Sequence, residues 1–181
     1  MASIIKANKL QDFAGNDILS SDGAGVITPN ANGIKNVPAF FASLSSSQSL
    51  SHNTYTKIVC DSESFDTDTA YDTSTGRFTV PSGEAGKYYF CFEGYTYDSS
   101  YKQIQSNPTF YKNGSKVFYN EESANSNTVA KITAIIELDS DDYVELYAKA
   151  DVLNNSVWAM NMDGTTSNNR AHWFGYKLVG V

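Results

Sequence analysis

Carboxylates are the most numerous side chains in this sequence that could do chemistry, and they concentrate in segments typical of turns. They include Asp61, Glu63, Asp66, Asp68, Asp72, Glu121, Glu122, Asp139, Asp141 and Asp142. Two carboxylates on opposite sides of a cleft can hydrolyse a glycosidic bond, but turns favour acidic residues for conformational reasons alone. The sequence does not place any two of these groups opposite each other, so we do not predict an enzyme.

Calcium is the metal that these residues would suit, because it prefers hard oxygen ligands from adjacent turns. The densest group consists of Asp139, Asp141 and Asp142. Their segment lacks the glycine and the distal glutamate of a helix–loop–helix calcium site. We therefore predict no resident cofactor and a solvated hairpin turn here, with calcium at these three aspartates as the alternative.

Histidines and glycines offer little support for catalysis. His52 and His172 are the two histidines, and neither belongs to a metal-binding or nucleophile motif. The Gly23-Ala24-Gly25 segment is not followed by the Gly-Lys-Ser/Thr of a phosphate-binding loop. Both observations favour a protein without catalytic machinery.

Aromatic side chains among small polar residues are the stronger signal. Tyr95, Tyr97 and Tyr101 occur in one segment with Thr, Asp and Ser, a composition that resembles a recognition loop. Trp158 follows an Asn-Asn-Ser segment and could stack on a sugar ring. We predict receptor contacts for these four residues; the alternative is that they cover the core or a subunit interface.

The elements that must position these residues are predicted to be strands. Apolar and other residues alternate with a period of two, which is typical of antiparallel strands with one face on a core. The alternating segments are residues 88–93, 132–138, 143–148 and 173–178. Turn signals separate them, including Asn113-Gly114, residues 139–142, Asn154-Asn155 and Asp163-Gly164. Eight to ten strands of this kind predict an all-β antiparallel sandwich or jelly roll.

Composition excludes several classes of function. The 181 residues carry a net charge of −7, and an acidic surface disfavours nucleic acid as a partner. No apolar stretch approaches the length of a membrane span, and no signal-peptide core follows Met1, so we expect folding where the chain is made. Cys60 and Cys91 could pair, but in a reducing compartment we favour two small buried side chains.

Residues 1–36 differ from the remainder of the chain. They contain one aromatic residue, Phe13, and are rich in Asn, Asp, Gly and Ala, so they cannot bury much apolar area alone. Residues 18–28 predict a hairpin around a glycine turn, and residues 30–33 predict a hinge. We expect residues 1–36 to form an attachment or shaft segment, or a disordered tail, ahead of a head at 37–181.

From residue 37 onward the motifs resemble the globular domain of complement C1q and its tumour-necrosis-factor-like relatives. The matching segments are VPAFFA (37–42), YDTSTGRFTVP (71–81), GKYYF (86–90), FYKNG (110–114), ITAIIEL (132–138), DYVEL (142–146) and WFGYKLV (173–179). Asp141 stands where the family pattern has a glycine. The resemblance implies a trimeric jelly roll.

Apolar residues on both faces of several strands also predict a homotrimer, because soluble monomers seldom expose large apolar patches. The predicted interface residues are Phe40, Phe41, Tyr89, Ile135 and Trp173. Since Phe40 and Phe41 are consecutive, one of them must point away from the core.

The N-terminal segment resembles a different group of proteins. Residues 5–10 and 18–23 are similar to the N-terminal stretches of tail-fibre and appendage proteins of tailed bacteriophages. The two resemblances together predict a structural virion protein, assembled in the host cytoplasm, that attaches to other virion proteins through residues 1–36. Its head would bind a host-surface glycan or protein, or brace the particle. A capsid decoration or head fibre and a glycan-cleaving depolymerase are the alternatives.

Overall fold

The alternating segments form antiparallel strands, as the sequence predicts. A computed structural model describes residues 7–29, 37–97, 104–124, 128–152, 160–165 and 171–179. These residues form strands and turns and no helix, so no described helix has the length or the apolar character to cross a bilayer. The predicted all-β class is confirmed.

A small sheet forms at the N-terminus from β1 (Lys9–Gln11), β2 (Asp17–Ser21) and β3 (Ile27–Pro29). The β2–β3 turn is held by Asp22, whose carboxylate accepts hydrogen bonds from the backbone N–H groups of Ala24 and Val26. This confirms the predicted hairpin. The predicted hinge and the boundary at residue 36 fall in residues 30–36, outside the described residues.

Fourteen further strands build the head. They are β4 (Ala39–Ser43), β5 (Ser46–Leu50), β6 (Thr56–Lys57), β7 (Ser62–Asp66), β8 (Tyr71–Asp72), β9 (Arg77–Thr79), β10 (Gly86–Tyr97), β11 (Ile104–Lys112), β12 (Ser115–Tyr119), β13 (Glu122–Ala124), β14 (Thr128–Leu138), β15 (Tyr143–Val152), β16 (Met160–Thr165) and β17 (Ala171–Lys177).

The first sheet of the head has five adjacent strands, in the order β14-β10-β17-β4-β7. The register places Tyr89 of β10 between Ile135 of β14 and Tyr176 of β17. β16 pairs with the end of β10 and with β5, which extends the sheet at one end.

The second sheet has the order β12-β11-β15-β9-β8. β13 pairs with β11, and β6 pairs with β15. The two sheets enclose the core, and each leaves its other face outward, so the sandwich predicted from the sequence is confirmed.

Aromatic rings dominate the core. The largest fully buried side chains are Trp173, Tyr88, Phe40, Phe78, Phe90, Phe92 and Phe110. Phe40 stacks on Tyr71 with ring centroids 4.6 Å apart, and it meets Trp173 nearly at a right angle with ring centroids 5.0 Å apart. Such contacts add to the free energy gained by burying the rings themselves.

Both cysteines are free and buried, in agreement with the second of the two expectations. Burial raises the pKa of Cys60 to about 12, so its thiol stays protonated and unreactive at neutral pH. Burial also raises the pKa of Cys91.

Two of the predicted turns have different outcomes. Asn113 and Gly114 both have positive φ and connect β11 to β12, as a two-residue hairpin turn requires. Asp163 and Gly164, in contrast, lie inside β16, at an irregularity in its pairing with β5. The prediction of a turn there is wrong, because a bulge also uses a glycine. The predicted Asn154-Asn155 turn lies outside the described residues.

Candidate functional site

The predicted receptor residues lie only partly within the described structure. Tyr95 and Tyr97 belong to the last residues of β10, so they do not form the predicted loop. At this end β10 pairs on both sides, with β14 at Thr96–Thr128 and with β16 at Tyr97–Asn161. Tyr95 is half-buried. The side chain of Tyr97 and all of Tyr101 and Trp158 lie outside the described residues.

The outward face of the first sheet carries a cluster of aromatic rings. Phe41 lies parallel to Phe174, with centroids 5.9 Å apart, and also parallel to His172 at 5.4 Å. Phe65 continues the row at 6.4 Å from Phe41 and is 50% exposed. These rings point away from the core although they are apolar.

The row continues across β10 to β14. The rings of Tyr89 and Tyr176 lie 5.4 Å apart, and Tyr89 lies 6.3 Å from Phe174. Ile135 is directly opposite Tyr89 in the register and is 56% exposed. We call this band, from Phe65 to Ile135, the aromatic face. It spans the five adjacent strands β14, β10, β17, β4 and β7 of the first sheet.

Two of the predicted interface residues do not belong to the aromatic face. Phe40 and Trp173 have 0% exposure and point into the core. A neighbouring chain cannot contact a side chain without accessible surface, so the prediction is wrong for these two residues. Phe41 and Phe174, their immediate neighbours, take the outward positions because side chains alternate along a strand. Phe41, Tyr89 and Ile135 lie on the aromatic face.

A second exposed apolar surface lies at one edge of the sandwich. Val117, Phe118 and Tyr119 of the edge strand β12 are all exposed. A cleft of about 410 Å³ separates this strand from β14 and is lined by Phe118, Tyr119, Asn120, Lys131, Ile132 and Thr133. We call β12 and this cleft the apolar edge.

The N-terminal sheet also exposes apolar side chains. Leu10 and Leu19 are directly opposite each other in its register. Leu10 and Ile27 are more than half exposed, and together with Leu19 they line a cleft of about 170 Å³. A three-stranded sheet this small gains little free energy from burial within itself.

The acidic turn is held together by Asp142. Its carboxylate accepts hydrogen bonds from Asn113 Nδ2 at 2.6 Å and from the backbone N–H of Asp139 at 2.8 Å, and it forms an ion pair with Lys112 at 2.7 Å. Asp141 adopts φ +69°, the conformation that favours the glycine of the family pattern. These contacts use Asp142 to fix the turn, while Asp139 and Asp141 stay exposed.

We expect the free energy of unfolding to fall as the pH is lowered from about 4 to about 2. The ion pair with Lys112 and the hydrogen bonds from Asn113 and Asp139 lower the pKa of Asp142 to about 2. Because this value is below that of the unfolded chain, the stabilisation is complete above about pH 4 and is lost as the pH falls through about 2. Thermal melts at a series of pH values measure the effect.

The Asp142→Asn variant should show a shallower loss over this range than the parent. Asp139→Asn is the matched control, because its carboxylate accepts no hydrogen bond from the described residues. Some acid sensitivity will remain, since hydrogen bonds from Ser74 and Thr75 also lower the pKa of Asp72 to about 2. A pH profile that is the same in Asp142→Asn and the parent would contradict this account.

The two histidines have different neighbours. His52 Nδ1 lies 3.4 Å from Asp151 Oδ1, and His172 stacks on Phe41. Within the described ranges, no group of three His, Cys, Asp or Glu side chains is arranged to hold a metal ion.

Glu145 is a buried carboxylate that the sequence pattern did not single out. Its side chain is almost fully buried on the outward face of the second sheet. Its Oε1 atom lies 2.7 Å from Lys57 Nζ and 2.8 Å from Arg77 Nη2. Burial alone would raise the pKa of Glu145, but the hydrogen bonds from Lys57 and Arg77 outweigh it and leave the pKa below its usual value. The alternation of residues 143–148 placed Glu145 outward but could not show its partners.

Comparisons with known proteins agree with this geometry. The model of the C1q domain family matches residues 39–166. No curated protein matches the sequence.

Solved structures show the same fold. The globular domain of zebrafish complement 1qA protein is similar at 17% identity and a TM-score of 0.51, covering 78% of this chain and 96% of that one. Murine APRIL at pH 5.0 is similar at 10% identity and a TM-score of 0.53, covering 77% of this chain and 98% of that one. At these identities the likeness concerns the fold. Because the family model matches well over half of its residues in order, the chain belongs to the C1q domain family.

Proposed function

We propose that this chain is a structural, non-catalytic protein of a tailed-phage virion. It forms a homotrimeric fibre, spike or appendage that displays the C1q-type head for binding a host surface or for bracing the particle. Residues 1–36 attach it to other virion proteins. The role requires no cofactor, and Tyr95, Tyr97, Tyr101 and Trp158 are the proposed receptor contacts.

The aromatic face is the observation that carries this proposal. Exposed apolar patches larger than a few hundred Å² are rare on soluble monomers and mark interaction sites. Burying such area contributes about 25 cal/mol per Å², so a row that includes Phe41, Phe174 and Tyr176 supports stable association. C1q- and TNF-type homologues form homotrimers, which supports a second and third copy of this chain as the partners.

A ring of three copies needs two different complementary surfaces on each chain. Threefold contacts are heterologous, so one patch must pack against another patch of the neighbouring copy. The aromatic face and the apolar edge are two such surfaces. Phe118 and Tyr119 of the edge can pack against the rings of the face, and both surfaces lose water in the same contact.

The exposed apolar side chains of the N-terminal sheet support the attachment role. Leu10 and Ile27 have no core of their own to enter, and a partner chain that covered the cleft beside Leu19 would remove all three from water. The resemblance of residues 5–10 and 18–23 to phage tail-fibre proteins favours a virion protein as that partner.

Deletion of residues 1–36 is expected to leave the head folded and trimeric but to exclude it from particles. The core consists of residues after 37, so the melting temperature of the truncated head should stay close to that of the full chain. Incorporation is measured by blotting purified virions produced from a phage that encodes the truncation.

Leu10→Asp in the full-length chain is a finer version of the same experiment, because it changes one side of the N-terminal cleft only. It should also lower incorporation, while Lys87→Gln on the head should not. A truncated head that does not fold, or one that enters virions at the normal level, contradicts the proposed role of the segment.

A further inference from the structure

The outward face of the second sheet carries a cluster of tyrosines. The rings of Tyr111 and Tyr147 lie 4.3 Å apart, and Tyr55 meets Tyr111 edge-on at 6.2 Å. All three are partly exposed, and the hydroxyls of Tyr55 and Tyr111 form no hydrogen bond with the described residues. This face is on the opposite side of the sandwich from the aromatic face.

The ammonium groups of two lysines lie close to this tyrosine cluster. Lys116 Nζ lies 5.3 Å from the centroid of Tyr55 and 4.8 Å from that of Tyr119. Lys149 Nζ lies 5.8 Å from the centroid of Tyr55. Tyr55 therefore has an ammonium group from each of two strands beside its ring, an arrangement that is favourable for a cation near an aromatic face.

The carboxylates on the same face are already engaged. Glu145 is held by Lys57 and Arg77. Glu121 accepts a hydrogen bond from Asn107, and Asp151 lies 3.4 Å from His52.

Lys116 and Lys149, in contrast, have no carboxylate within 4 Å among the described residues. Four of the five other described lysines of the head form ion pairs: Lys57, Lys112, Lys131 and Lys177. The fifth, Lys87, forms none with the described residues. A chain of net charge −7 thus has two lysines without an ion-pair partner among the described residues, beside partly exposed tyrosines. The partners given for Glu121 and Asp151 on the same face, Asn107 and His52, carry no fixed positive charge.

We propose that this surface, formed by Tyr55, Tyr111, Tyr147, Lys116 and Lys149, binds a polysaccharide that carries carboxylates. The two ammonium groups would form charge-assisted hydrogen bonds with the carboxylate of an acidic sugar. The rings supply rigid apolar area for the C–H face of the sugar, and the free hydroxyls of Tyr55 and Tyr111 supply hydrogen bonds.

The combination of two lysines with three tyrosine rings favours a carboxylated glycan over nucleic acid. Nucleic acid carries one phosphate per nucleotide and binds through many cations at once, whereas this face presents two free ones in an acidic protein. The carboxylates of one or two sugars can be bound by these two lysines, and the uncharged ring atoms of the same sugars match the tyrosines.

This inference extends the proposed binding role to a defined ligand class, but it concerns the isolated head and does not require a virion. It also uses a surface separate from Tyr95 and Tyr97. Lys116 lies on β12, which the proposed trimer contact also uses, whereas Lys149 lies on β15, outside that contact. Binding and mass measured together on the Lys149→Gln variant therefore separate the glycan site from assembly.

The test is titration of the protein with polygalacturonate at low salt, with binding measured by calorimetry or interferometry. We expect saturable binding that weakens as NaCl is raised from 50 to 500 mM, and no binding of neutral dextran. Lys116→Gln together with Lys149→Gln should weaken binding at least about tenfold. Lys87→Gln is the matched control, since Lys87 is an unpaired lysine outside this face, and it should bind as the parent does.

Two tyrosine variants separate ring contact from hydroxyl contact. Tyr55→Ala should weaken binding strongly, whereas Tyr55→Phe, which keeps the ring, should retain most of it. Heparin distinguishes the charged group: binding of heparin with none of polygalacturonate overturns the assignment of carboxylate.

No binding of polygalacturonate by the folded parent, or equal affinity in the double lysine variant, also overturns the proposal. Melting temperature and light-scattering mass are recorded for each protein. A parent protein that is not trimeric by light scattering would count against the proposed assembly. A double lysine variant that loses binding while its mass and melting temperature stay unchanged would support the glycan site. If the double variant does not fold, Lys149→Gln alone decides the question by the same comparison.

Discussion

Replacing Phe41 with aspartate is expected to convert a trimer of about 59 kDa into protomers of 19.8 kDa or into aggregate. Phe41 lies at the centre of the aromatic face, with Phe65, His172 and Phe174 around it. A carboxylate there would be buried without a partner in the assembled interface, which costs several kcal/mol per chain. Because all three chains carry the substitution, this free-energy cost applies three times in each trimer.

Light scattering across a dilution series measures the mass, and the parent should remain trimeric below micromolar concentration. Tyr111→Asp is the matched control, since Tyr111 is also a partly exposed aromatic residue in a cluster of rings, but on the outward face of the other sheet. That variant should keep the mass of the parent. A parent that has a mass of 19.8 kDa at high concentration would refute the trimer, whatever the variants do.

The alternation of apolar residues was sufficient to predict the sandwich. In β10 the predicted inward residues Tyr88, Phe90 and Phe92 are all fully buried. In β14 and β15 the alternation also identified the buried side correctly, because Ile136 and Leu146 have charged neighbours in sequence. When one face of a strand is polar, the sequence alone indicates which face is buried.

The same reasoning could not orient β4 and β17, because both of their faces are apolar. Phe40 and Phe41 are adjacent in sequence, as are Trp173 and Phe174, and a shift of one residue exchanges the two faces. The register places Phe41 and Phe174 on one face of the sheet, and the complete burial of Phe40 and Trp173 shows that this face is the outward one. Of the five residues predicted for the interface, Phe40 and Trp173 are buried in the core, and the interface itself stays a prediction.

Contacts between residues far apart in the chain could not be predicted from the sequence. Lys57 and Glu145 are 88 residues apart, and Lys149 reaches Tyr55 from another strand. Nothing in the local pattern around Tyr55 indicates a neighbouring cation. Such clusters depend on register, and register depends on the whole sheet.

Gly175→Ala is expected to destabilise the head by about 2–3 kcal/mol, which is near the upper end for an overpacked core. Gly175 lies on the inward side of β17, where an added Cβ would stand 2.4 Å from Cδ1 of Phe90 and 3.1 Å from Cε1 of Phe40. The Phe90 ring has little room to move away, because the ring centroids of Phe78 and Phe110 lie 5.4 and 6.0 Å from its own. The change should lower the melting temperature by about 5–10 °C at fixed protein concentration.

Gly83→Ala is the matched control for this substitution. Gly83 has φ +81° and no atom within 4 Å of an added Cβ, so the cost there is that of the backbone alone, about 1 kcal/mol. A second substitution tests the steric cause directly: Phe90→Leu shortens the ring that the new methyl group meets. The double variant Gly175→Ala/Phe90→Leu should therefore be more stable than the sum of the two single changes predicts. Strict additivity, or a Gly175→Ala protein as stable as Gly83→Ala, would show that the close approach of Phe90 to the β17 backbone does not constrain this position.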